Sequence, residues 1–149
     1  ILDEMESSVI ARHPEHAGKL TRTRDLMCAA VPDCLVIGYE DLIEALTLPD
    51  PDDRHVLAAA IRCGAQVIVT NNQRDFPQDV LDEYAIEAQT ADEFLAYLVD
   101  LRPAIVAATL QRQADSLRDP PLSLEDLLSV LERSGLTRTV SQLRIHLQP

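Results

Sequence analysis

Apolar residues recur along the chain at helical spacing in several stretches, and capping residues mark where some of these helices begin and end. Asp50 can cap a helix whose first position is Pro51 and whose end is Gly64, and Thr90 begins another. Pro32 closes the second helix. The predicted helices cover about residues 1–12, 15–30, 54–63, 80–84, 103–118, 123–134 and 137–147, with a further helix after Thr90 and a helical turn at 41–46.

Three short apolar runs between these helices, at residues 34–37, 66–70 and 85–87, predict β-strands. The run at 66–70 is β-branched and apolar on both faces, as in a buried central strand of a parallel sheet. Alternating strands and helices predict the α/β class, with a parallel sheet covered by helices on both faces in residues 1–100. Residues 101–149 are expected to form a small all-helical C-terminal extension.

Composition narrows the classes of function. Of the 149 residues 46% are hydrophobic, which suits one soluble domain with a small appendage, and 3% are aromatic, so RNA binding on a stacking platform is disfavoured. No apolar stretch approaches the roughly 20 residues of a membrane span, and no signal peptide is recognisable. The three cysteines, Cys28, Cys34 and Cys63, form no CxxC pair, so they are expected to be reduced packing residues of a cytoplasmic protein.

Charge is uneven, since residues 1–100 carry 20 acidic and 7 basic side chains, whereas residues 101–149 carry 5 and 6. The net charge of −12 opposes phosphate binding through clustered Lys and Arg. It favours cations, basic partner segments or a nucleic acid bound through metal ions. A solvated acidic surface is the commoner alternative.

Two polar clusters are expected at the carboxyl ends of the predicted strands, where open parallel sheets bind ligands. They consist of Asp50, Asp52 and Asp53, and of Asn71, Asn72 and Asp75. Carboxylates gathered in this way repel one another unless a cation such as Mg²⁺ or Mn²⁺ neutralises them. The alternatives are helix capping by the first cluster and a simple turn for the Asn pair.

Other motifs are weaker. His13 and His16 lack the partners of a zinc set and are expected at the surface, and His55 could position a phosphate or simply pack. The sequence has no GxSxG, Walker A or GxGxxG motif, which disfavours serine hydrolysis and nucleotide binding of those types.

Three segments together resemble the second half of a PIN domain, in the branch that contains the VapC-type toxins of bacterial toxin–antitoxin pairs. These segments are residues 50–60 (DPDDRHVLAAA), 64–72 (GAQVIVTNN) and 74–77 (RDFP). Ile1 to Glu4 resemble the helix that carries the second acidic residue of the family. The resemblance covers residues 1 to about 100, and the three C-terminal helices resemble an extension found in one subgroup.

The resemblance implies an endoribonuclease in which acidic residues hold one or two Mg²⁺ or Mn²⁺ ions. Carried over by position, Glu4 and Asp53 are metal ligands, Asn72 stands where many members have a further Asp, and Asp75 follows. RNA contacts would come from basic residues such as Arg54 and Arg74, from the arginines of the tail or from a second subunit. The implied partners are RNA, an antitoxin that inserts a basic side chain among the acids, and a second copy in a homodimer.

Ile1 lies within a helical pattern rather than at its start, so the natural N-terminus is expected upstream. The first strand of the family, with its leading catalytic Asp, would precede Ile1. An alternative hypothesis is therefore a catalytically inert fragment or protein-interaction module that serves dimer or antitoxin binding. A phosphohydrolase with an Asp nucleophile is less favoured, because no second Asp follows a strand-end Asp by two residues.

Overall fold

The computed structural model describes residues 1–31, 33–118 and 120–147. Backbone contacts divide the chain into two compact units, Ile1–Gln66 and Val67–Pro149. The described residues are mostly helical and contain a two-stranded parallel sheet, which agrees with the predicted α/β class in its broad form. The predicted domain boundary near residue 100 stays a prediction. Within the described residues, no helix combines the length and the apolar character that a membrane crossing requires.

The first unit is built from three α-helices and several 3₁₀ turns. Its core consists of Leu46, Leu48, Leu57, Ala58 and Ala60. The first two helices contribute no buried residue to it. In chain order the elements are α1 (Leu2–Arg12), a 3₁₀ turn (Pro14–His16), α2 (Ala17–Ala30), 3₁₀ turns at Glu40–Ala45 and Pro51–Asp53, and α3 (Arg54–Cys63).

Helix α3 begins and ends where its capping residues predict. The Asp50 carboxylate accepts the N–H of Asp52 at 2.9 Å, and Pro51 opens the 3₁₀ turn that leads into the helix. Gly64 adopts a left-handed conformation with φ 68°, which a side chain would disfavour, and its N–H bonds back to the last turn. The N-terminal end of α3 is therefore held by a local hydrogen-bonded turn.

The predicted strand at Cys34 to Ile37 is wrong. The described residues of this run form a bend and irregular backbone, and Leu35 and Ile37 are 56% and 82% exposed. An apolar run becomes a strand only where a neighbouring strand takes up its backbone hydrogen bonds, and in this segment the sheet offers no such neighbour. The predicted helix end at Pro32 lies outside the described residues.

The second unit contains the sheet, in which β1 (Val67–Val69) pairs in parallel with β2 (Glu87–Gln89). Ile68 is buried, but Val69 is 47% exposed, so the prediction that this strand is buried on both faces is wrong. The strand predicted at 85–87 is displaced by two residues. Ala85 adopts φ 55° to close a 3₁₀ turn, and Ile86 donates its N–H to Leu81 rather than to a strand.

The last four helices of this unit enclose a core of Val99, Leu128, Val140 and Leu143. Two of them begin with the capping box expected from a Ser or Thr followed three residues later by an acid. These pairs are Thr90 with Glu93 and Ser123 with Asp126. The helices of the unit are α4 (Gln78–Leu81), α5 (Ala91–Leu101), α6 (Pro103–Ser116), α7 (Leu124–Arg133) and α8 (Thr137–Leu147), and a 3₁₀ turn (Asp82–Tyr84) follows α4.

Asp92 in the first turn of α5 caps the N-terminal end of α8. Its carboxylate accepts the N–H groups of Arg138 at 2.9 Å and Thr139 at 2.8 Å, and the hydroxyl of Thr139 at 2.7 Å. Burial raises the pKa of this carboxyl, but the hydrogen bonds from Thr139 and Arg138 outweigh it and the pKa is lowered. The ionised Asp92 therefore joins two helices that are far apart in sequence.

Candidate functional site

Two acidic side chains of the first unit meet at the N-terminal end of α3. One carboxylate oxygen of Asp50 and one of Asp53 lie within 4.8 Å of each other, and Asp53 is half-buried. Their mutual repulsion would be relieved by a cation between them. Carboxylate oxygens are the donors that Mg²⁺ and Mn²⁺ prefer, so the donor chemistry of this pair fits a hard divalent ion.

The backbone before α3 fixes this acidic pair. The Asp50 carboxylate caps the turn through the N–H of Asp52, as the capping alternative predicts. Arg54 donates from Nε to the carbonyl oxygen of Pro51 at 3.0 Å. The same turn thus holds two carboxylates and one guanidinium close to the positive end of the helix dipole.

Glu4, the other predicted metal ligand of this unit, contacts His55. Its Oε1 lies 3.2 Å from Nε2 of His55, and its side chain is 62% exposed.

His55 connects Glu4 to the turn before α3. Its Nδ1 lies 2.6 Å from the carbonyl oxygen of Asp52, and its Nε2 is buried. Although Nε2 is 3.2 Å from Glu4, this contact is not a hydrogen bond. Of the two roles open to His55 in the sequence, phosphate contact and packing, the structure shows a third, contact with an acid.

The second predicted cluster lies in the second unit, directly after β1. Asn72 donates from Nδ2 to the Asp75 carboxylate, and its N–H bonds to the Thr70 hydroxyl at 3.0 Å. Asn71 is exposed in the same turn, so the simple turn foreseen for the Asn pair is present. The prediction that Asn72 and Asp75 belong to one metal site with Asp53 stays a prediction.

Sequence reasoning missed an apolar cavity of about 640 Å³ within the first unit. Apolar side chains of α1, α2 and the 34–37 segment line it, together with the polar side chains of Asp3, Arg24 and His55. The apolar run at 34–37 was the available signal, but it was assigned to a strand. His55 therefore lies at the edge of both the cavity and the acidic site.

The structure tests part of the predictions for the three cysteines and for the pair His13 and His16. All three cysteines are free thiols, but Cys34 and Cys63 are exposed, so the prediction that they are packing residues is wrong for these two. His13 lies at the surface beside Glu15, with 3.2 Å between Nδ1 and Oε1. The side chain of His16 lies outside the described residues.

Comparison with known proteins finds a family that matches the C-terminal part of the chain and a curated relative that matches 63% of it. The family described as the VapC50 C-terminal domain matches residues 91–145, from α5 into α8. The chain is 44% identical over 94 residues to the "Putative ribonuclease VapC50" of Mycobacterium tuberculosis (strain ATCC 25618 / H37Rv). That alignment covers 63% of this chain and 55% of the relative, so the chain spans about half the length of the curated protein it matches. No solved structure matches the chain significantly.

These matches confirm the resemblance to VapC-type proteins that was stated from the sequence.

Proposed function

We propose that the protein is a divalent-metal-dependent endoribonuclease with a PIN-like fold that acts as the toxin of a toxin–antitoxin pair. Its relative is named a ribonuclease, and the observation that carries the metal dependence is the pair of Asp50 and Asp53 at the N-terminal end of α3. An acidic pair of this kind would give a protein of net charge −12 a way to bind RNA through cations.

In this proposal Asp53 and Glu4 hold Mg²⁺ or Mn²⁺, and Asn72 and Asp75 complete the catalytic set. When bound, the divalent ion supplies charge stabilisation at the phosphodiester and lowers the pKa of water. Asn72 offers an amide oxygen where a carboxylate would add a negative charge, and its amide N–H₂ orients Asp75. In this proposal the acids bind the metal rather than the RNA.

Arg54 is the basic residue best placed to contact the RNA backbone. Its Nε is anchored on the carbonyl oxygen of Pro51, and the side chain is half-buried at the N-terminal end of α3. A guanidinium held at one nitrogen retains N–H groups that can bind a phosphate in a fixed orientation. We assign Arg74, which is exposed in the turn between Asn72 and Asp75, a similar but weaker role.

A matched pair of variants tests this function. Asp53→Asn removes one charge at the proposed metal site, whereas Glu44→Gln removes one charge from an exposed position in the same unit. With Mg²⁺ or Mn²⁺ present, we expect Asp53→Asn to lower the rate of RNA cleavage on the order of 100-fold or more, Glu44→Gln to leave it unchanged, and EDTA to abolish it. Metal-dependent cleavage by Asp53→Asn at the wild-type rate would refute the assignment of Asp53.

The alternative, a binding module for an antitoxin or a second copy, is favoured by large apolar side chains on the surface of α5 and α6. Tyr97, Leu101 and Ile105 are each more than half exposed. Sedimentation of the chain over a concentration series, alone and with its antitoxin, measures this binding. Stable association without any metal-dependent cleavage would favour the binding module over the nuclease.

A further inference from the structure

We propose that Cys28 and Cys34 form a redox-responsive pair, in which a low-molecular-weight disulfide converts the two neighbouring thiols into an intramolecular disulfide. The pair lies at the C-terminal end of α2 and in the segment that follows it, so it concerns only residues of the first unit. The proposal goes beyond the nuclease function and does not depend on it.

The backbone after α2 turns back toward the end of the helix. Cys28 lies in the last turn of α2, and Val31 continues this turn by donating its N–H to the carbonyl oxygen of Met27 at 3.1 Å. Cys34 in turn donates its N–H to the carbonyl oxygen of Val31 at 3.2 Å. It follows Asp33, whose φ of 65° is left-handed. Two successive backbone turns therefore return the chain to the helix end.

The side chains of the two cysteines are in contact. The Cys28 thiol is hydrogen-bonded to Cys34, and the end of α2 and the 34–37 segment line the same apolar cavity. A disulfide forms only between cysteines that approach each other closely. The fold therefore already provides the proximity that the bond requires.

The two thiols differ in exposure, as a stepwise exchange requires. Cys34 is exposed and Cys28 is half-buried, so an incoming disulfide reaches Cys34 first. Burial raises the pKa of the Cys28 thiol, and the hydrogen bond with Cys34 raises it further. Cys34 is therefore the attacking residue, and Cys28 is the resolving residue that reacts second.

The exchange takes two steps. The Cys34 thiolate attacks one sulfur of the small-molecule disulfide RSSR, forms a mixed disulfide and releases RS⁻. Cys28 then loses its proton to water and attacks the Cys34 sulfur of the mixed disulfide, which releases the second RS⁻. The protein loses two electrons and two protons, and RSSR gains them to become two molecules of RSH.

Metal binding is the alternative use of two neighbouring thiols, but the donor set is too small for it. A structural zinc ion takes four protein ligands. Among the residues that the structure describes, no third His, Cys, Asp or Glu places a ligand atom within reach of these two sulfurs. The pair is therefore better suited to thiol–disulfide exchange.

Glutathione disulfide is the probe for the full 149-residue chain, followed by alkylation of free thiols and tryptic mass spectrometry. Trypsin cuts after Arg24 and Arg54 but not between them, because residues 25–53 contain no Lys or Arg. Both cysteines thus lie in one peptide, and the bond appears as the loss of two hydrogens with no alkyl group attached. We expect this product in the wild type, and excess reduced glutathione should restore both thiols. Two alkyl groups or two glutathione adducts on this peptide would overturn the proposal.

Cys63→Ser is the matched control. The Cys63 thiol is exposed but donates to the carbonyl oxygen of Ala60 in its own helix, at 3.5 Å. The disulfide should form in this variant at the wild-type rate. A bond that requires Cys63 would contradict the assignment of the pair.

Single substitutions test the order of the two steps. Cys28→Ser removes the resolving thiol, so a stable glutathione adduct should accumulate on Cys34. Cys34→Ser leaves the half-buried thiol alone, and its adduct should form on the order of 10-fold more slowly. An adduct that persists on Cys34 in the wild type, or a faster reaction at Cys28 than at Cys34, would refute the assigned roles.

A comparison with the unfolded chain shows whether the fold positions the pair, since two cysteines six residues apart can also meet by chance. At one pH, the mixed disulfide on Cys34 should resolve on the order of 10-fold faster in the folded chain than in concentrated urea. Equal or slower resolution in the folded chain would mean that the bond reflects nearness in sequence alone, and the proposal would fail.

Discussion

Two helix pairs of this protein carry the same surface feature on very different interiors. In each pair an arginine of the second helix contacts two carboxylates of the first. Arg24 of α2 contacts Asp3 and Glu6 of α1, the latter at 3.1 Å, and Arg144 of α8 contacts Glu125 at 2.6 Å and Glu132 at 3.0 Å on α7. The charge pattern alone would predict equal stability for the two helix pairs.

The two helix pairs differ in how many of their side chains are buried. Helices α1 and α2 contribute no buried residue, whereas α7 and α8 supply Leu128, Val140 and Leu143 to a core in which each is at most 1% exposed. Exposed ion pairs add little free energy, and buried apolar surface adds about 25 cal/mol per Å². The difference shows that the predicted ligand Glu4 lies on a helix with no buried residue.

The largest effect expected from this comparison follows from a matched pair of leucine substitutions. Leu143→Ala empties a fully buried position and should lower the free energy of unfolding by about 3 kcal/mol. Leu26→Ala removes a side chain that is 59% exposed on α2 and should change it by less than about 0.5 kcal/mol. Urea denaturation followed by circular dichroism measures both, and equal losses would contradict the contrast between the two helix pairs.

A smaller effect is expected at the cap of α8. Asp92→Asn weakens the hydrogen bonds to Arg138 and Thr139 and should cost about 1 kcal/mol of unfolding free energy. Because the pKa of Asp92 is lowered in the folded state from an ordinary value of 3.8, its contribution is fully present above about pH 4 and is lost as the pH falls through the folded-state pKa.

The free energy of unfolding, measured from pH 6 down to pH 2, tests whether the contribution of Asp92 falls with pH. The difference in stability between wild type and Asp92→Asn should shrink below pH 4, whereas Asp115→Asn, an exposed acid on α6, should show no such trend. A difference that grows toward low pH would contradict the role assigned to the ionised carboxylate.

The smallest effects concern the two arginines. Arg24→Met and Arg144→Met each remove two ion pairs at the surface and should lower the free energy of unfolding by less than about 1 kcal/mol. Hydrogen exchange should nevertheless separate them, because α1 and α2 have little else to hold them. Amide protection in α1 and α2 should fall in Arg24→Met and in high salt, while α7 and α8 stay protected in Arg144→Met. Equal behaviour of the two variants would show that burial is not the deciding term.

Local signals in the sequence predicted much of the fold. The cap at Asp50, the turn at Gly64 and the capping box at Thr90 depend on residues within four positions of one another, and all three are present. The strands were harder to predict, because a strand needs a partner strand that a local sequence pattern does not reveal. The strand predicted at Cys34 to Ile37 is therefore absent. The strand β2 begins two residues later than predicted, because Ala85 closes a turn.

In the candidate site, too, the local contacts could be predicted from the sequence and the long-range contacts could not. The nearness of Asp50 and Asp53 follows from their spacing of three residues at the start of a helix, so the sequence could predict it. The contact between Glu4 and His55 joins residues 51 positions apart, and the apolar cavity gathers side chains from four separate segments. Tertiary packing alone brings these groups together, and no periodicity of the sequence encodes it.

The bond from Asp92 to the start of α8 has a consequence for the modularity of the chain. It joins positions 47 residues apart, and these lie in the first and last helices of the segment 91–145 that matches a family of its own. A closed loop of this kind places its two ends side by side and encloses its own apolar core. The segment 91–145 thus closes on itself, and Asp92 near its start joins its two ends.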